Sequence, residues 1–134
     1  MSFSVEIQIV YRHGLECYRA EVELIRVGPG RPTHPTPFIF DTGAEVTMVS
    51  EDVARDLGLT TGGQPVSVTG SVSSGTGRLV PVAFRFAGEP GLTVATSWVI
   101  LPGDRKIAIL GLRDVLPHFE VRMEDFDLYF IRKP

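Results

Sequence analysis

The sequence has 134 residues with 16 acidic and 13 basic side chains, a net charge of −3, and this length predicts one domain spanning residues 1–134. A hydrophobic fraction of 43% argues against disorder, and the acidic balance argues against a nucleic-acid partner. Cys17 is the only cysteine, so the chain has no internal disulfide, and the absence of a secretory pattern or a membrane-spanning apolar run predicts a cytoplasmic protein with no membrane partner.

Two stretches near the N-terminus alternate between apolar and polar residues with a period of two. They cover residues 5–11 and 18–24, on either side of Arg12-His13-Gly14. This pattern predicts a β-hairpin with one buried face. Residues 28–37 contain four prolines, which predicts a loop. The apolar residues 38–40 then predict a short buried strand that ends at Asp41.

One segment, residues 50–57, has the features of a helix. Ser50 suits the N-cap, and Glu51 and Asp52 place negative charge in the first turn, where the helix dipole favours it. Gly58 then suits the left-handed position just after a helix.

The rest of the chain is predicted to be mainly strand. Strands are expected at residues 64–69, 78–86, 92–101, 107–110 and 126–131, with a Gly- and Ser-rich tip at 70–77 and a helical turn at 112–116. The three histidines, His13, His34 and His118, are scattered without ligand spacing, so no metal site is predicted.

The strongest local signal lies in residues 38–50, where an apolar strand is followed at once by Asp41-Thr42-Gly43. Such a triplet also occurs in ordinary turns at strand ends, because Asp and Gly are favoured there. Between an apolar strand and an apolar run that leads into a capped helix, the triplet resembles the active-site motif of aspartic proteases. The longer form Asp-Thr-Gly-Ala-Glu-x-Thr is similar to that of retropepsins, the retroviral type.

The resemblance implies a fold, a reaction and roles for five residues. The fold would be all-β, a closed acid-protease barrel with one or two short helices. The reaction would be hydrolysis of peptide bonds in an extended polypeptide substrate by a water molecule that two carboxylates activate, with no cofactor and no metal. Asp41, Thr42 and Gly43 would be the catalytic residues, and the backbone at Ala44 and Glu45 would bind the substrate.

A second segment, residues 107–116, resembles the hydrophobic-hydrophobic-Gly element that precedes the C-terminal helix of retropepsins. An ordinary buried strand that ends at a glycine has the same local pattern. The family usually has Arg directly after this Gly, whereas Leu112 intervenes here. The resemblance implies an ion pair between Glu45 and Arg113, in a register that Leu112 changes.

The Gly- and Ser-rich tip at residues 70–77 is the third element. In retropepsins a β-hairpin flap closes over the substrate, and the resemblance assigns Gly70, Ser71, Ser74 and Gly75 to substrate binding at its tip. A loose exposed hairpin is an alternative. A phosphate-binding loop is unsupported, because the chain has no Gly-Lys-Ser/Thr sequence.

Only Asp41 lies in an Asp-Ser/Thr-Gly sequence, whereas an aspartic protease needs two such carboxylates. The resemblance therefore implies a homodimer in which two copies of Asp41 meet at a two-fold axis, with residues 3–9 and 126–131 as candidates for a shared sheet. Two other hypotheses stay open. One is a catalytically inactive retropepsin-fold module that dimerises or binds peptides. The other is a small β-barrel ligand binder in which the triplet is coincidental.

Overall fold

The structure is a computed structural model, and it describes residues 2–28, 34–59, 62–68, 75–103 and 105–134. Within these ranges the chain forms ten strands, one α-helix and one 3₁₀ turn. The elements are β1 (Ser2–Arg12), β2 (Leu15–Val27), β3 (Thr36–Phe40), β4 (Met48–Ser50), α1 (Glu51–Asp56), β5 (Gln64–Val68), β6 (Gly75–Phe86), β7 (Glu89–Leu101), β8 (Ala108–Leu110), the 3₁₀ turn (Leu112–Asp114), β9 (Phe119–Glu124) and β10 (Asp127–Arg132).

The fold is all-β, as predicted. In the described part of the chain the strands form one sheet in the order β5-β6-β7-β4-β8-β3-β2-β1-β10-β9. β6 also pairs with β2, from Leu24↔Phe86 to Val27↔Ala83. Because of this second pairing, β6, β7, β4, β8, β3 and β2 follow one another in a ring. Where a closed barrel was predicted, the structure has a ring of six strands within a ten-stranded sheet.

Large apolar side chains fill the interior of the ring. Alternate residues of β6 point inward, as the period of two in its sequence predicts, and Phe84 and Phe86 are fully buried. Trp98 of β7 packs against Phe38 of β3, with ring centroids 5.2 Å apart. Since Phe38 lies in the strand that leads to Asp41, this packing fixes the position of that strand.

The predicted N-terminal hairpin is confirmed. β1 and β2 pair from Ile7↔Ala20 to Arg12↔Leu15, and His13 and Gly14 form the turn between them with φ values of 53° and 77°. Two successive positive φ values are typical of the type I′ turn that matches the twist of a hairpin.

The two terminal strands pair with each other within the chain. β1 and β10 are antiparallel from Ser2↔Ile131 to Glu6↔Asp127, and β9 pairs with the other side of β10. β9 is not among the strands that were predicted from the sequence. The strands expected to join a sheet between two chains are therefore already paired in one chain, and β9 is the outer strand on this side of the sheet.

The predicted helix is confirmed, although Ser50 plays a different part from the one expected. Ser50 has extended backbone angles at the N-cap position, but its side chain makes no capping hydrogen bond. Its hydroxyl oxygen instead accepts the Ile107 N–H at 3.1 Å, which attaches the start of the helix to the segment before β8. Gly58 has the left-handed φ of 67° expected after a helix. Within the described ranges, no helix has the length and hydropathy needed to span a membrane.

Candidate active site

β3 ends at Phe40, and the chain turns immediately after it. The Asp41 N–H donates to the Leu110 carbonyl in β8 (3.1 Å), and the Ala44 N–H donates to the Asp41 carbonyl (3.1 Å), which closes the turn. The Gly43 N–H donates to Oδ1 of the Asp41 carboxylate at 2.8 Å. The carboxylate is therefore held in a defined orientation by its own turn.

The turn exposes the residues to which the sequence assigns the chemistry. Asp41 is half-buried, Thr42 and Gly43 are exposed, and Ala44 is buried. A Cβ added to Gly43 would lie 3.2 Å from Oδ1 of Asp41, tighter than ordinary van der Waals contact. Glycine at this position therefore leaves space for the carboxylate while Ala44 anchors the turn in the protein.

Gly111, directly after β8, packs against the backbone of the residues that follow this turn. A Cβ added to Gly111 would lie 2.3 Å from the carbonyl carbon of Val46 and 2.8 Å from the nitrogen of Thr47. The Gly111 N–H donates to the hydroxyl oxygen of Thr47 at 3.0 Å, and Thr47 is fully buried. The hydrophobic-hydrophobic-Gly element is thus fixed to the last threonine of the Asp-Thr-Gly-Ala-Glu-x-Thr run.

Two further backbone hydrogen bonds join the same segments. The Leu112 N–H donates to the Ala44 carbonyl (2.9 Å), and the Arg113 N–H donates to the Glu45 carbonyl (2.8 Å). The Glu45 and Arg113 side chains are both exposed and are not among the ion pairs of the described residues. The expected Glu45–Arg113 ion pair is therefore wrong for the single chain. With Leu112 directly after the glycine, Arg113 contacts Glu45 through its backbone instead.

Asp114 is a buried carboxylate whose role the sequence analysis missed. It is 2% exposed, its Oδ1 accepts the Thr96 hydroxyl at 2.7 Å, and its Oδ2 accepts the Trp98 indole N–H at 3.0 Å. Both oxygens are therefore satisfied by β7, and the carboxylate holds the 3₁₀ turn against that strand. The contacts span 16 and 18 residues, so no local pattern indicates them.

A bidentate ion pair connects α1 with β6. Nε and Nη2 of Arg78 donate to the two carboxylate oxygens of Glu51 at 3.1 and 2.9 Å, and Nη1 donates to the Gly62 carbonyl. The hydrogen bonds from Arg78 lower the pKa of Glu51 below its ordinary value. This pair holds the helix that follows the active-site turn against the strand that begins at Gly75.

Asp41 lines a depression of about 490 Å³ between the β1–β2 hairpin and the segment around β8. Its walls carry four basic residues, and its apolar lining comes mainly from β3 and the segment around β8. The lining residues are Val10, Arg12, Cys17, Tyr18, Arg19, Ile39, Asp41, Arg105, Lys106, Ile107, Ala108 and Ile109. Asp41 is the one member of this set for which the sequence predicted a role at the site. No group of three or more His, Cys, Asp or Glu in the described ranges is arranged to hold a metal ion.

The residues predicted to bind substrate fall into two groups. Ala44 and Glu45 adjoin Asp41, but their carbonyls are used by Leu112 and Arg113. Within the described part of the chain, the Gly43 carbonyl and the Glu45 N–H have no hydrogen-bond partner. A bound peptide could form hydrogen bonds with both groups.

The second group belongs to the predicted flap. Gly70, Ser71 and Ser74 lie outside the described residues. Gly75 is the exposed first residue of β6, with a φ of 137°, and it is not part of the depression that contains Asp41. The pairing of β5 with β6, from Gln64↔Leu79 to Val68↔Gly75, confirms two antiparallel strands on either side of the tip.

One family model and two solved structures are similar to this chain. The family model described as aspartyl protease matches residues 25–113, a range that includes both the Asp41 turn and Gly111. A retropepsin-like aspartic protease from Rickettsia conorii has a similar structure, with a TM-score of 0.70 and 13% identity over 97% of this chain and 89% of that one. The retroviral protease-like domain of Ddi1 from Leishmania major gives a TM-score of 0.46 and 14% identity over 83% of this chain and 94% of that one. No curated protein matches the chain.

Proposed function

The chain belongs to the aspartyl protease family, and from this we propose that it is an endopeptidase whose active site is formed by Asp41 from each of two identical chains. The observation that carries the proposal is the Asp41 turn. A half-buried carboxylate is oriented by the Gly43 N–H at 2.8 Å, next to residues that are exposed in the single chain. In this proposal residues 1–134 form one protease domain.

A second copy is needed because the chain contains a single Asp-Thr-Gly sequence. A two-fold interface brings the same surface of two chains together, so an exposed turn at the axis would meet its own copy. The exposure of Thr42 and Gly43 supports such a contact, since these residues directly follow Asp41 and would be covered by the partner. In retropepsins the equivalent threonine hydroxyl bonds across to the partner turn, and Thr42 matches that position.

The chemistry follows from two carboxylates at close range. At a separation of about 3 Å, the repulsion between two negative charges keeps one of the carboxylates protonated, so the pair shares a proton. Aspartic proteases are the established example. The ionised carboxylate takes a proton from the water that attacks the peptide carbonyl, and the protonated one donates to the carbonyl oxygen. No metal or covalent intermediate is required for this reaction.

The substrate would bind as an extended strand beside the Asp41 turn. The Gly43 carbonyl and the Glu45 N–H would hydrogen-bond to its backbone, which supplies affinity independently of sequence. The tip between β5 and β6, with Gly70, Ser71, Ser74 and Gly75, would cover the substrate. Its small residues suit a segment that must open and close.

Hydrolysis of an unfolded protein tests the proposal. Wild-type protein should cleave a reduced, carboxymethylated substrate, and Asp41→Asn should lower the rate by at least about 10²-fold because it removes the general base. Asp125→Asn is the matched control, since Asp125 lies in the exposed β9–β10 turn at a φ of 49°, which asparagine tolerates.

Sedimentation and circular dichroism would show that Asp41→Asn keeps the fold and the oligomeric state of the wild type. Cleavage that persists in Asp41→Asn would refute the role of Asp41. A folded wild-type dimer that cleaves no substrate would favour the non-catalytic peptide-binding module instead.

A further inference from the structure

The depression that contains Asp41 is strongly basic, although the chain as a whole is acidic. Arg12, Arg19, Arg105 and Lys106 line it, and Asp41 is the one carboxylate among the described residues of its lining. The net charge of the whole chain is −3. A positive pocket on a negative protein, next to the proposed catalytic group, is the feature that the proposed mechanism leaves unexplained.

Three of these four cations have no carboxylate partner among the described residues. Arg19 is engaged with Glu21, at 2.7 Å between Nη2 and Oε1. None of the ion pairs in the described ranges includes Arg12, Arg105 or Lys106. Their side chains are therefore available to a ligand.

The cations come from two separate parts of the chain. Arg12 ends β1, whereas Arg105 and Lys106 precede β8. Ile39 and Ile109, which are neighbours in the parallel pairing of β3 with β8, give the depression an apolar lining next to Asp41. Such a pocket can accept the methylene groups of a substrate side chain along its apolar lining, while the polar end of that side chain contacts the cations.

The adjoining depression has the opposite character. It is about 510 Å³ and shares Ile39, Lys106 and Ala108 with the first, but Glu21 and Asp56 also line it. The excess of positive charge is therefore confined to the part of the groove that contains Asp41. Among the described residues, a peptide that lies along both depressions would meet an excess of positive charge only in the depression that contains Asp41.

We infer that the depression lined by Arg12, Arg105 and Lys106 is a specificity pocket for an acidic side chain, glutamate or aspartate, close to the scissile bond of the peptide substrate. This inference rests on the proposed role of Asp41 as the catalytic carboxylate. Guanidinium and ammonium groups form charge-assisted hydrogen bonds with carboxylates, and charge complementarity selects among partners. Because the cations are exposed, we expect the preference to be moderate and weakened by salt.

Peptide binding to the Asp41→Asn protein tests the inference without cleavage. The probes are rhodamine-labelled octapeptides of alanine and leucine in which a single glutamate is moved from position to position, each compared with the same peptide carrying glutamine. Fluorescence anisotropy should find one position at which glutamate binds about 10-fold more tightly than glutamine. At roughly 0.5 M salt this ratio should fall towards one.

The double variant Arg105→Gln/Lys106→Gln, in the same Asp41→Asn background, should remove most of the preference for glutamate over glutamine. Arg55→Gln/Arg122→Gln is the matched control, because it removes two exposed positive charges outside the depression and should leave the ratio unchanged. No position that favours glutamate, no binding of any peptide, or a ratio that survives Arg105→Gln/Lys106→Gln would overturn the inference.

Cleavage by the wild type, measured in parallel, separates this inference from the proposed function. A wild type that cleaves with no preference for acidic residues would refute the pocket and leave the protease proposal standing. A glutamate preference in binding, with no cleavage by the wild type, would refute the protease proposal and leave an acidic-peptide pocket.

Discussion

The two sides of the Asp41 turn are built differently. On the inner side, Thr47 and Gly111 are buried and joined by a hydrogen bond, and there is no space at Gly111 for a single added carbon. On the outer side, Asp41 is half-buried, Thr42 and Gly43 are exposed, and a basic depression adjoins them. One short sequence therefore supplies both a rigid attachment and an open surface.

This difference separates residues that hold the site from residues that would perform the reaction. A substitution on the inner side should lower stability, because it breaks contacts that already exist in the single chain. A substitution at the exposed Thr42 on the outer side should leave stability nearly unchanged and lower activity, because this side chain would make its contacts with substrate or a partner.

The largest expected effect is that of Gly111→Ala. The added Cβ would overlap the Val46 carbonyl, and backbone atoms on both sides must then move. We expect a loss of about 3 kcal/mol in the free energy of unfolding, measured with urea. Gly62→Ala is the control, since nothing lies within 4 Å of a Cβ at that position. Equal stability of the two variants would contradict the close packing of the inner side.

Thr47→Val and Thr42→Val make the same chemical change on the two sides of the turn. Thr47→Val leaves the buried Gly111 N–H without an acceptor and should cost about 1–3 kcal/mol in urea unfolding. Thr42→Val, at an exposed position, should change stability by less than about 0.5 kcal/mol at low protein concentration, yet lower peptidase activity. The comparison fails if Thr42→Val is the more destabilising of the two.

A smaller effect than that of Thr47→Val is expected when the ion pair between Glu51 and Arg78 is removed. Because Arg78 lowers the pKa of Glu51 in the folded chain, the pair stabilises the fold above the ordinary pKa of 4.5, and this stabilisation is lost as the pH falls through the lowered pKa. Glu51→Gln should cost less than about 1 kcal/mol at pH 7, and the difference from wild type should vanish in acid.

Glu120→Gln is the control for this measurement, because the Glu120–Arg122 ion pair is more exposed to solvent than the Glu51–Arg78 pair. The Glu120 side chain is 53% exposed and the Arg122 side chain is 61% exposed. It should show a smaller difference from wild type at every pH. A Glu51→Gln difference that grows on acidification would contradict the assigned direction of the pKa shift.

The sequence predicted the parts of this site that have a local pattern. Asp41 at a strand end and the helix that ends before Gly58 are set by residues within a few positions of one another, and both are confirmed. The resemblance to retropepsins also identified the hydrophobic-hydrophobic-Gly element that contains Gly111. Each of these elements has a signal in consecutive residues.

The contacts that fix the site were missed because they join distant parts of the chain. Thr47 and Gly111 are 64 residues apart, and Trp98 contacts Asp114 across the interior. The basic depression likewise brings Arg12 together with Lys106. These two residues lie too far apart in the sequence for a local pattern to connect them. The expected Glu45–Arg113 ion pair is not among those of the described single chain, where the Arg113 N–H donates to the Glu45 carbonyl instead.

The central claim is that two copies of Asp41 form one active site, and mixed dimers test it most directly. A fixed amount of wild-type protein is unfolded and refolded together with an equal amount of Asp41→Asn, and the cleavage rate is measured. Random pairing puts about half of the wild-type chains into mixed dimers, so the rate should fall to about one half, and to about one quarter with a threefold excess. Co-refolding with Asp125→Asn should cause no loss. An unchanged rate in the presence of excess Asp41→Asn would contradict a site shared between two chains.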